Sequence, residues 1–149
     1  GAEGTLPPPT CSEEYVARQD CSSLTGGCGS LSEQPVFRHT AEDPMIFKDR
    51  RGNYHMLMNV MPYKCAPKYQ QGGHAWSEDG VTWSEPRVGA FNTTVRMSDG
   101  SEIKCERRER PQMIMDPDLP GVPLALSSAL TGCPRRSFNR VNKGGTDCF

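Results

Sequence analysis

The sequence predicts an all-β fold built from short, closely spaced strands. Turn-forming residues recur along the chain, as in residues 78–80 (Glu-Asp-Gly), 98–100 (Ser-Asp-Gly) and 116–122. Between these turns lie short apolar or alternating stretches, and sustained helical periodicity is absent after residue 20. Short strands joined by frequent turns are typical of a sandwich, a barrel or a propeller. A length of 149 residues suffices for one domain with a modest core.

The first 34 residues are predicted to form a lead-in that precedes the strands. Residues 1–9 contain three consecutive prolines, which fit neither a helix interior nor a central strand. Thr10 and Glu13 have the spacing of a capping box, which predicts a short helix over residues 11–19. Residues 21–32 are rich in Gly, Ser and Cys, and this composition predicts a loop.

Residues 35–130 are predicted to hold the strands, and residues 131–149 a polar, basic C-terminal tail in loop conformation. A further loop, residues 62–71, contains Cys65. The predicted strands are residues 45–48, 54–61, 73–77, 81–84, 91–97, 102–106, 112–115 and 124–130.

The seven cysteines predict disulfide bonds and therefore an oxidising compartment. Their spacing does not match a zinc site, which needs two closely spaced pairs, so no metal is predicted. Six cysteines already allow 15 pairings, so the sequence assigns no pair. The odd number leaves one thiol free or paired with another chain. The disulfide candidates are Cys11, Cys21, Cys28, Cys65, Cys105, Cys133 and Cys148.

Charge and hydropathy exclude two classes of partner. The net charge of −1 and the pI of about 6.3 argue against a nucleic-acid binder. No apolar run approaches the roughly 20 residues that a membrane-spanning helix needs. Asn92-Thr93-Thr94 is a glycosylation sequon on an alternating stretch that is expected to turn Asn92 to solvent. Together with the cysteines, the sequon predicts a secreted protein.

The segment Ser77–Trp83 resembles the Asp box of sialidase-type propellers, with one spacer residue missing. We expect Asp79 to accept backbone N–H groups in a tight turn, since a short carboxylate suits that role. Gly80 is expected to adopt a positive φ, and Trp83 to fold back as an apolar plug. The predicted role of this segment is structural.

Residues 42–57 resemble one blade of the five-bladed propellers of family-43 glycoside hydrolases and their relatives in families 32 and 68. Related propellers occur in algae and other microbial eukaryotes. In these families an Asp before Pro points into the central funnel, which implies a catalytic role for Asp43. Pro44 is expected to hold Asp43 in an extended conformation. The alternative is that Asp43 caps a turn.

Residues 109–115 are similar to the Glu-x-Pro-His stretch that carries the general acid in family 43, with Gln112 in place of the His. The resemblance implies that Glu109 is the acid and that Asp43 modulates its pKa. Arg108 and Arg110 beside Glu109 would suit an anionic sugar and are candidate substrate-binding residues. The alternative is an ordinary charged surface strand.

Residues 72–77 also resemble the propeller relatives, in which this strand approaches the funnel. His74 is therefore a candidate substrate contact and Trp76 a candidate sugar-stacking residue, although core packing is the alternative for both.

The resemblance implies a partial, disulfide-stapled propeller of about two to three blades, since blades repeat roughly every 40–50 residues. A missing segment or a partner chain, joined through a disulfide or not, would then complete the ring. Two functions stand at this point. The first is inverting hydrolysis of a polysaccharide, for which the chain lacks a recognisable general base. The second is a non-catalytic glycan-binding or structural role. No cofactor is predicted, and a structural calcium ion enters only through the resemblance.

Overall fold

The computed structural model describes residues 15–23, 26–38, 40–61 and 71–134. Within these ranges the fold is all-β and contains no helix, and hence no helix that could cross a membrane. The ten strands are β1 Gln19–Ser23, β2 Gly26–Leu31, β3 Thr40–Lys48, β4 Tyr54–Met61, β5 Gln71–Ser77, β6 Arg87–Val88, β7 Thr94–Arg96, β8 Glu102–Lys104, β9 Arg107–Met115 and β10 Pro123–Thr131.

A four-stranded antiparallel sheet in the order β3-β4-β5-β6 is the largest sheet among these strands. The other strands form the antiparallel pairs β1–β2, β7–β8 and β9–β10. Successive side chains of β4 alternate between the two faces of the sheet. Met56, Met58 and Val60 therefore share one face, while Leu57 and Asn59 share the other.

The core lies on the Met56 face of the four-stranded sheet. It comprises Val16, Phe37, Ala41, Met56, Met58, Val60 and Ala75. The chain before β3 thus contributes Val16 and Phe37, which pack against this face. Met58 is fully buried, and β4 supplies three of the buried apolar side chains of this core, so β4 contributes more of its buried apolar surface than any other strand.

The hairpin of β9 and β10 packs beside the four-stranded sheet, with β9 against β3 and β4. Its turn lies directly against the turn that joins β3 to β4. A Cβ atom added to Gly121 would lie 2.5 Å from the backbone nitrogen of Arg50 and 2.6 Å from the carbonyl carbon of Asp49. This close approach of two backbones fixes how the hairpin sits beside the sheet.

Two disulfides are present among the described cysteines, and they fit an oxidising, extracellular setting. Cys21–Cys28 joins β1 to β2, and Cys105–Cys133 joins the residue after β8 to the segment after β10. The second bond closes a separation of 28 residues and ties the β7–β8 pair to the second hairpin. Cys11, Cys65 and Cys148 lie outside the described residues.

The structure corrects the prediction for the lead-in. Residues 21–32 were expected to be loop, but most of them form the β1–β2 hairpin. The Cys21–Cys28 bond joins the two strands of this hairpin, whose residues are all exposed, and Gly27 supplies a positive φ. The predicted helix over 11–19 is absent from its described part, where residues 15–18 are irregular and Gln19 begins β1.

Most of the later strands lie where they were predicted and differ in length, and the predicted strand at 81–84 is absent. The strand at 54–61 is confirmed as β4, whereas β3, β9 and β10 begin earlier than predicted. Residues 81–84 form no strand, because the Asp-box turn extends through them and the returning strand is only Arg87–Val88. Strand β7 keeps only three residues of the predicted 91–97.

Candidate functional site

The pattern Glu-x-Pro-x4-Asp occurs twice, at residues 42–49 in β3 and at residues 109–116 in β9. Each copy starts within a long strand and ends at the Asp that opens the hairpin turn. In the first turn Asp49 Oδ1 accepts the N–H groups of Arg51 and Asn53. In the second, Asp116 Oδ1 accepts those of residues 118 and 119. The two hairpins therefore share one sequence pattern and a turn that opens with an Asp carboxylate accepting backbone N–H groups.

Both copies contain the same β-bulge at the residue before proline. Residues 43–44 face a single residue of β4, and residues 110–111 face a single residue of β10. Asp43 has a φ of 53° and Arg110 a φ of 54°, and these are the positive-φ non-glycine residues of the described chain. The expectation that Pro44 keeps Asp43 extended is wrong, because Asp43 adopts a left-handed backbone conformation within the bulge.

This repeat changes which residues correspond between the two hairpins. Asp43 corresponds to Arg110, and Glu109 corresponds to Glu42, which the sequence analysis did not select. The repeated Glu-x-Pro-x4-Asp spacing could have identified Glu42, because it aligns Pro44 directly with Pro111. Since β9 packs against β3, the two bulges lie on neighbouring strands.

Asp43 is half-buried and accepts a hydrogen bond from Asn59 Nδ2 at 3.2 Å. Asn59 is only 1% exposed, and its Oδ1 has no hydrogen-bond partner among the described residues. The buried Asn59 amide therefore orients the Asp43 carboxylate. Its Oδ1, which has no described hydrogen-bond partner, places a second polar atom beside Asp43.

The charged residues of β9 differ in what they contact. Glu109 Oε1 forms an ion pair with Arg107 Nη1 at 3.1 Å, and its side chain is 15% exposed. Arg108 donates to Ser128 Oγ at 2.7 Å and lies over the ring of Phe91, and its burial lowers its pKa. Arg108 is therefore held by the scaffold. Arg110 is exposed, and its guanidinium forms no hydrogen bond or ion pair with a described residue.

A hydrogen-bonded chain of Asp49, His55 and His74 runs across β4 and β5. Asp49 Oδ2 lies 3.3 Å from His55 Nε2, and His55 Nδ1 lies 2.9 Å from His74 Nε2. The two imidazole centroids are 5.1 Å apart, close to the largest separation that this nitrogen–nitrogen contact permits, so the rings meet edge to edge. The strand register, which is not visible in the sequence, makes these residues neighbours.

When both imidazoles are neutral, their hydrogen-bond partners set the tautomers. The Asp49 carboxylate only accepts, so His55 Nε2 carries the proton and His55 Nδ1 accepts from His74 Nε2; a protonated His55 instead donates from Nδ1 to His74. The neutral pair leaves His74 Nδ1 with its lone pair. Burial, the nearby His55 and the charge of Arg87 lower the pKa of His74. Burial alone would raise the pKa of Asp49, but hydrogen bonds led by those from Asn53 and His55 bring it well below its usual range.

The lowered pKa of His74 predicts a loss of stability in mild acid. The unfolded side chain titrates near 6.5, so below that pH the unfolded state binds more protons than the folded state. The stabilisation is therefore complete above pH 6.5 and is lost as the pH falls through the folded pKa. We expect the melting temperature to fall between pH 7.5 and pH 5, and this slope to be shallower for His74→Asn. An unchanged slope in the variant would contradict this assignment.

The turn after β5 has the geometry predicted for an Asp box. Asp79 Oδ1 accepts the N–H groups of Val81 and Thr82, each at 2.7 Å, and Gly80 has a φ of 76°. Hydrogen bonds from Thr82, Val81 and Ser77 lower the pKa of Asp79 to about 2. Trp83 donates its indole N–H to the carbonyl of Gly80 at 3.1 Å and packs against the core.

The remaining candidates lie apart from the bulges. His74 and Trp76 are on β5, which is separated from β3 by β4 in the sheet. Asn92 is exposed, as expected for an acceptor of a glycan, although it precedes β7 in an irregular segment. Asn92 Oδ1 accepts the N–H of Thr94 at 2.9 Å.

The described part of the chain holds no cluster of three or more His, Cys, Asp or Glu side chains suited to a metal ion. No known protein family, no curated protein and no solved structure matches this chain at a significant level.

Proposed function

We propose that residues 40–131 form two neighbouring blades of an extracellular β-propeller, with β3 and β9 as the inner strands. A four-stranded antiparallel sheet in sequence order is the usual blade, and β3-β4-β5-β6 has this form. The repeated hairpins and their side-by-side packing support the same arrangement. A missing segment or a partner chain, with or without a disulfide to it, supplies the rest of the ring.

We further propose that the inner strands bind an acidic polysaccharide outside the cell. The observation that carries this proposal is Arg110: an exposed guanidinium without a described partner, on a strained residue of an inner strand. Non-glycine residues with positive φ cost free energy and are concentrated at functional sites. A free guanidinium binds carboxylate or sulfate groups through paired hydrogen bonds.

The neighbours of Arg110 support a binding role. Arg107 and Glu109 neutralise one another through their ion pair, and Arg108 is held by Ser128, so Arg110 is the cation of β9 available to a ligand. On β3, the equivalent position holds Asp43, which the buried Asn59 orients. In this arrangement a hydroxyl group of the sugar donates to the Asp43 carboxylate, and the acidic group of the same sugar binds Arg110.

Inverting hydrolysis is the second candidate. Glu42 and Glu109 occupy equivalent positions on neighbouring strands, which favours a pair of carboxylates around one bound sugar. Inversion needs an acid and a base roughly 6.5–9.5 Å apart. The resemblance to family 43 implies that Glu109 is the acid and Asp43 its modulator. The ion pair with Arg107 counts against Glu109, since a general acid must carry a proton.

The test compares binding of polygalacturonate and of neutral xylan in affinity electrophoresis. Arg110→Ala is expected to weaken polygalacturonate binding by about tenfold or more, because it removes a charge-assisted hydrogen bond. The matched control is Arg96→Ala, which removes an exposed arginine from β7. Equal weakening by both variants, or no binding of polygalacturonate at low salt, would refute the proposal.

Release of reducing ends decides between the two candidates. If the chain cleaves either polysaccharide and Glu109→Gln abolishes this cleavage, the inner strands catalyse. If polygalacturonate binds and remains intact, the protein is a binding propeller and hydrolysis is excluded for these substrates.

A further inference from the structure

A cavity of about 340 Å³ lies beside the Asp-box turn, away from the two bulges. Both tryptophans of the chain line it. The other lining residues are hydroxyl-bearing or acidic side chains. The full set is Trp76, Ser77, Glu78, Asp79, Thr82, Trp83 and Ser84.

Trp76 presents an aromatic surface at this cavity. Its neighbours in β5, Ala75 and Ser77, are buried, whereas Trp76 is 47% exposed. Its indole N–H makes no hydrogen bond to a described residue. Tryptophan is usually well buried, so an exposed ring with an open donor is an informative exception.

The walls of the cavity are rigid before any ligand arrives. Trp83 is fixed by its bond to the Gly80 carbonyl and by the core behind it. The backbone N–H of Trp76 donates to Ser84 Oγ at 3.1 Å, and the N–H of Ser84 donates to the Trp76 carbonyl at 2.9 Å. Such preorganisation reduces the entropy that a ligand must overcome.

The charge around the cavity selects the ligand. Glu78 is exposed and forms no hydrogen bond or ion pair with a described residue, so its carboxylate can accept from a ligand. The Asp79 carboxylate, in contrast, is occupied by Ser77, Val81 and Thr82 within the turn. None of the described residues that line the cavity is cationic, so their charge disfavours an anionic ligand.

We infer that this cavity binds a neutral or amino sugar, with the ring stacked on Trp76 and a hydroxyl or ammonium group on Glu78. Sugar rings offer an apolar C–H face to an aromatic side chain and donors to an acceptor at its rim. The volume suits a small ligand, at the lower end of the roughly 300–1,000 Å³ of ligand pockets. This site is separate from the inner strands, where Arg110 favours acidic groups, and does not depend on the function proposed for them.

The two tryptophans make the site directly observable, since each gives one indole signal in a ¹H–¹⁵N spectrum of the chain. The probes are chitosan hexasaccharide, cellohexaose and polygalacturonate. We expect chitosan hexasaccharide or cellohexaose to shift the Trp76 signal saturably, while polygalacturonate leaves it in place. Trp76→Ala removes the Trp76 signal, so its binding is followed on the Trp83 signal, since Trp83 also lines the cavity, and is expected to be weakened by about tenfold. Glu78→Gln is expected to weaken chitosan hexasaccharide more than cellohexaose.

The controls separate this site from the fold and from the inner strands. Glu102→Gln removes an exposed carboxylate from β8, and Arg110→Ala alters β9; neither is expected to change the titration. The Trp83 signal reports whether the Trp76→Ala variant remains folded. If this variant does not fold, Trp76→Leu is used in its place. Absence of a shift with both uncharged and amino probes at millimolar concentration would overturn the inference. So would a Trp83 titration with the same affinity before and after replacement of Trp76.

Discussion

Gly121→Ala is expected to displace the β9–β10 hairpin from the sheet and to lower the free energy of unfolding substantially. The φ of 79° adds about 1–2 kcal/mol of backbone strain for a non-glycine residue. The new Cβ would also meet backbone atoms of Asp49 and Arg50 at 2.5–2.6 Å, which adds about 1–3 kcal/mol of overpacking. Backbone atoms in a tight turn have little freedom to move, so the hairpin as a whole must shift.

Gly100→Ala is the matched control for this experiment. Gly100 has a similar φ of 83°, but a Cβ atom there would meet nothing within 4 Å. The control therefore contains the backbone strain without the contact, and we expect a loss of only about 1–2 kcal/mol. Urea unfolding of the oxidised protein measures both values. Equal losses would show that the two turns do not touch in solution.

Met58→Ala is expected to cost about 2–5 kcal/mol, because it empties the centre of the core. Met58 is fully buried on β4 and packs in the cluster shared by the sheet and the lead-in segment. The resulting cavity would weaken the packing of Val16 and Phe37 as well. Chemical unfolding monitored by far-ultraviolet circular dichroism measures the change.

Ile46→Ala serves as the control on the same sheet. Ile46 lies in β3 and is 52% exposed, so its truncation removes little buried surface and should cost about 1 kcal/mol or less. Ile46 pairs with Met56 and therefore lies on the same face of the sheet as Met58. If Ile46→Ala destabilises the protein as much as Met58→Ala does, the core is not centred on Met58. The comparison therefore tests where on this face the core is centred.

The bulges show where local sequence patterns were insufficient. Proline disfavours a helical conformation in the preceding residue, and this rule predicted an extended Asp43. In the structure two residues of β3 face one residue of β4, and the extra residue is accommodated by a positive φ. The pairing partner imposes this conformation, so it cannot be predicted from the Asp-Pro dipeptide.

The lead-in shows a similar limit. The composition of residues 21–32 is that of a loop, yet a disulfide between Cys21 and Cys28 joins two strands there. Cysteine pairing is a tertiary property, since many pairings are compatible with the same spacing. The Cys21–Cys28 disulfide therefore holds two strands together that the residue composition alone did not predict.

The sequence by itself determined the all-β class, the position of β4 and the geometry of the Asp box. These features depend on contacts between residues close in the chain, such as the bonds from Val81 and Thr82 to Asp79. Tertiary structure decided which side chains meet across strands. The register of β4 and β5 joins His55 to His74, and the packing of β9 on β3 brings the two bulges onto neighbouring strands. Such contacts depend on strand register and sheet packing, which alternation along a single strand does not specify.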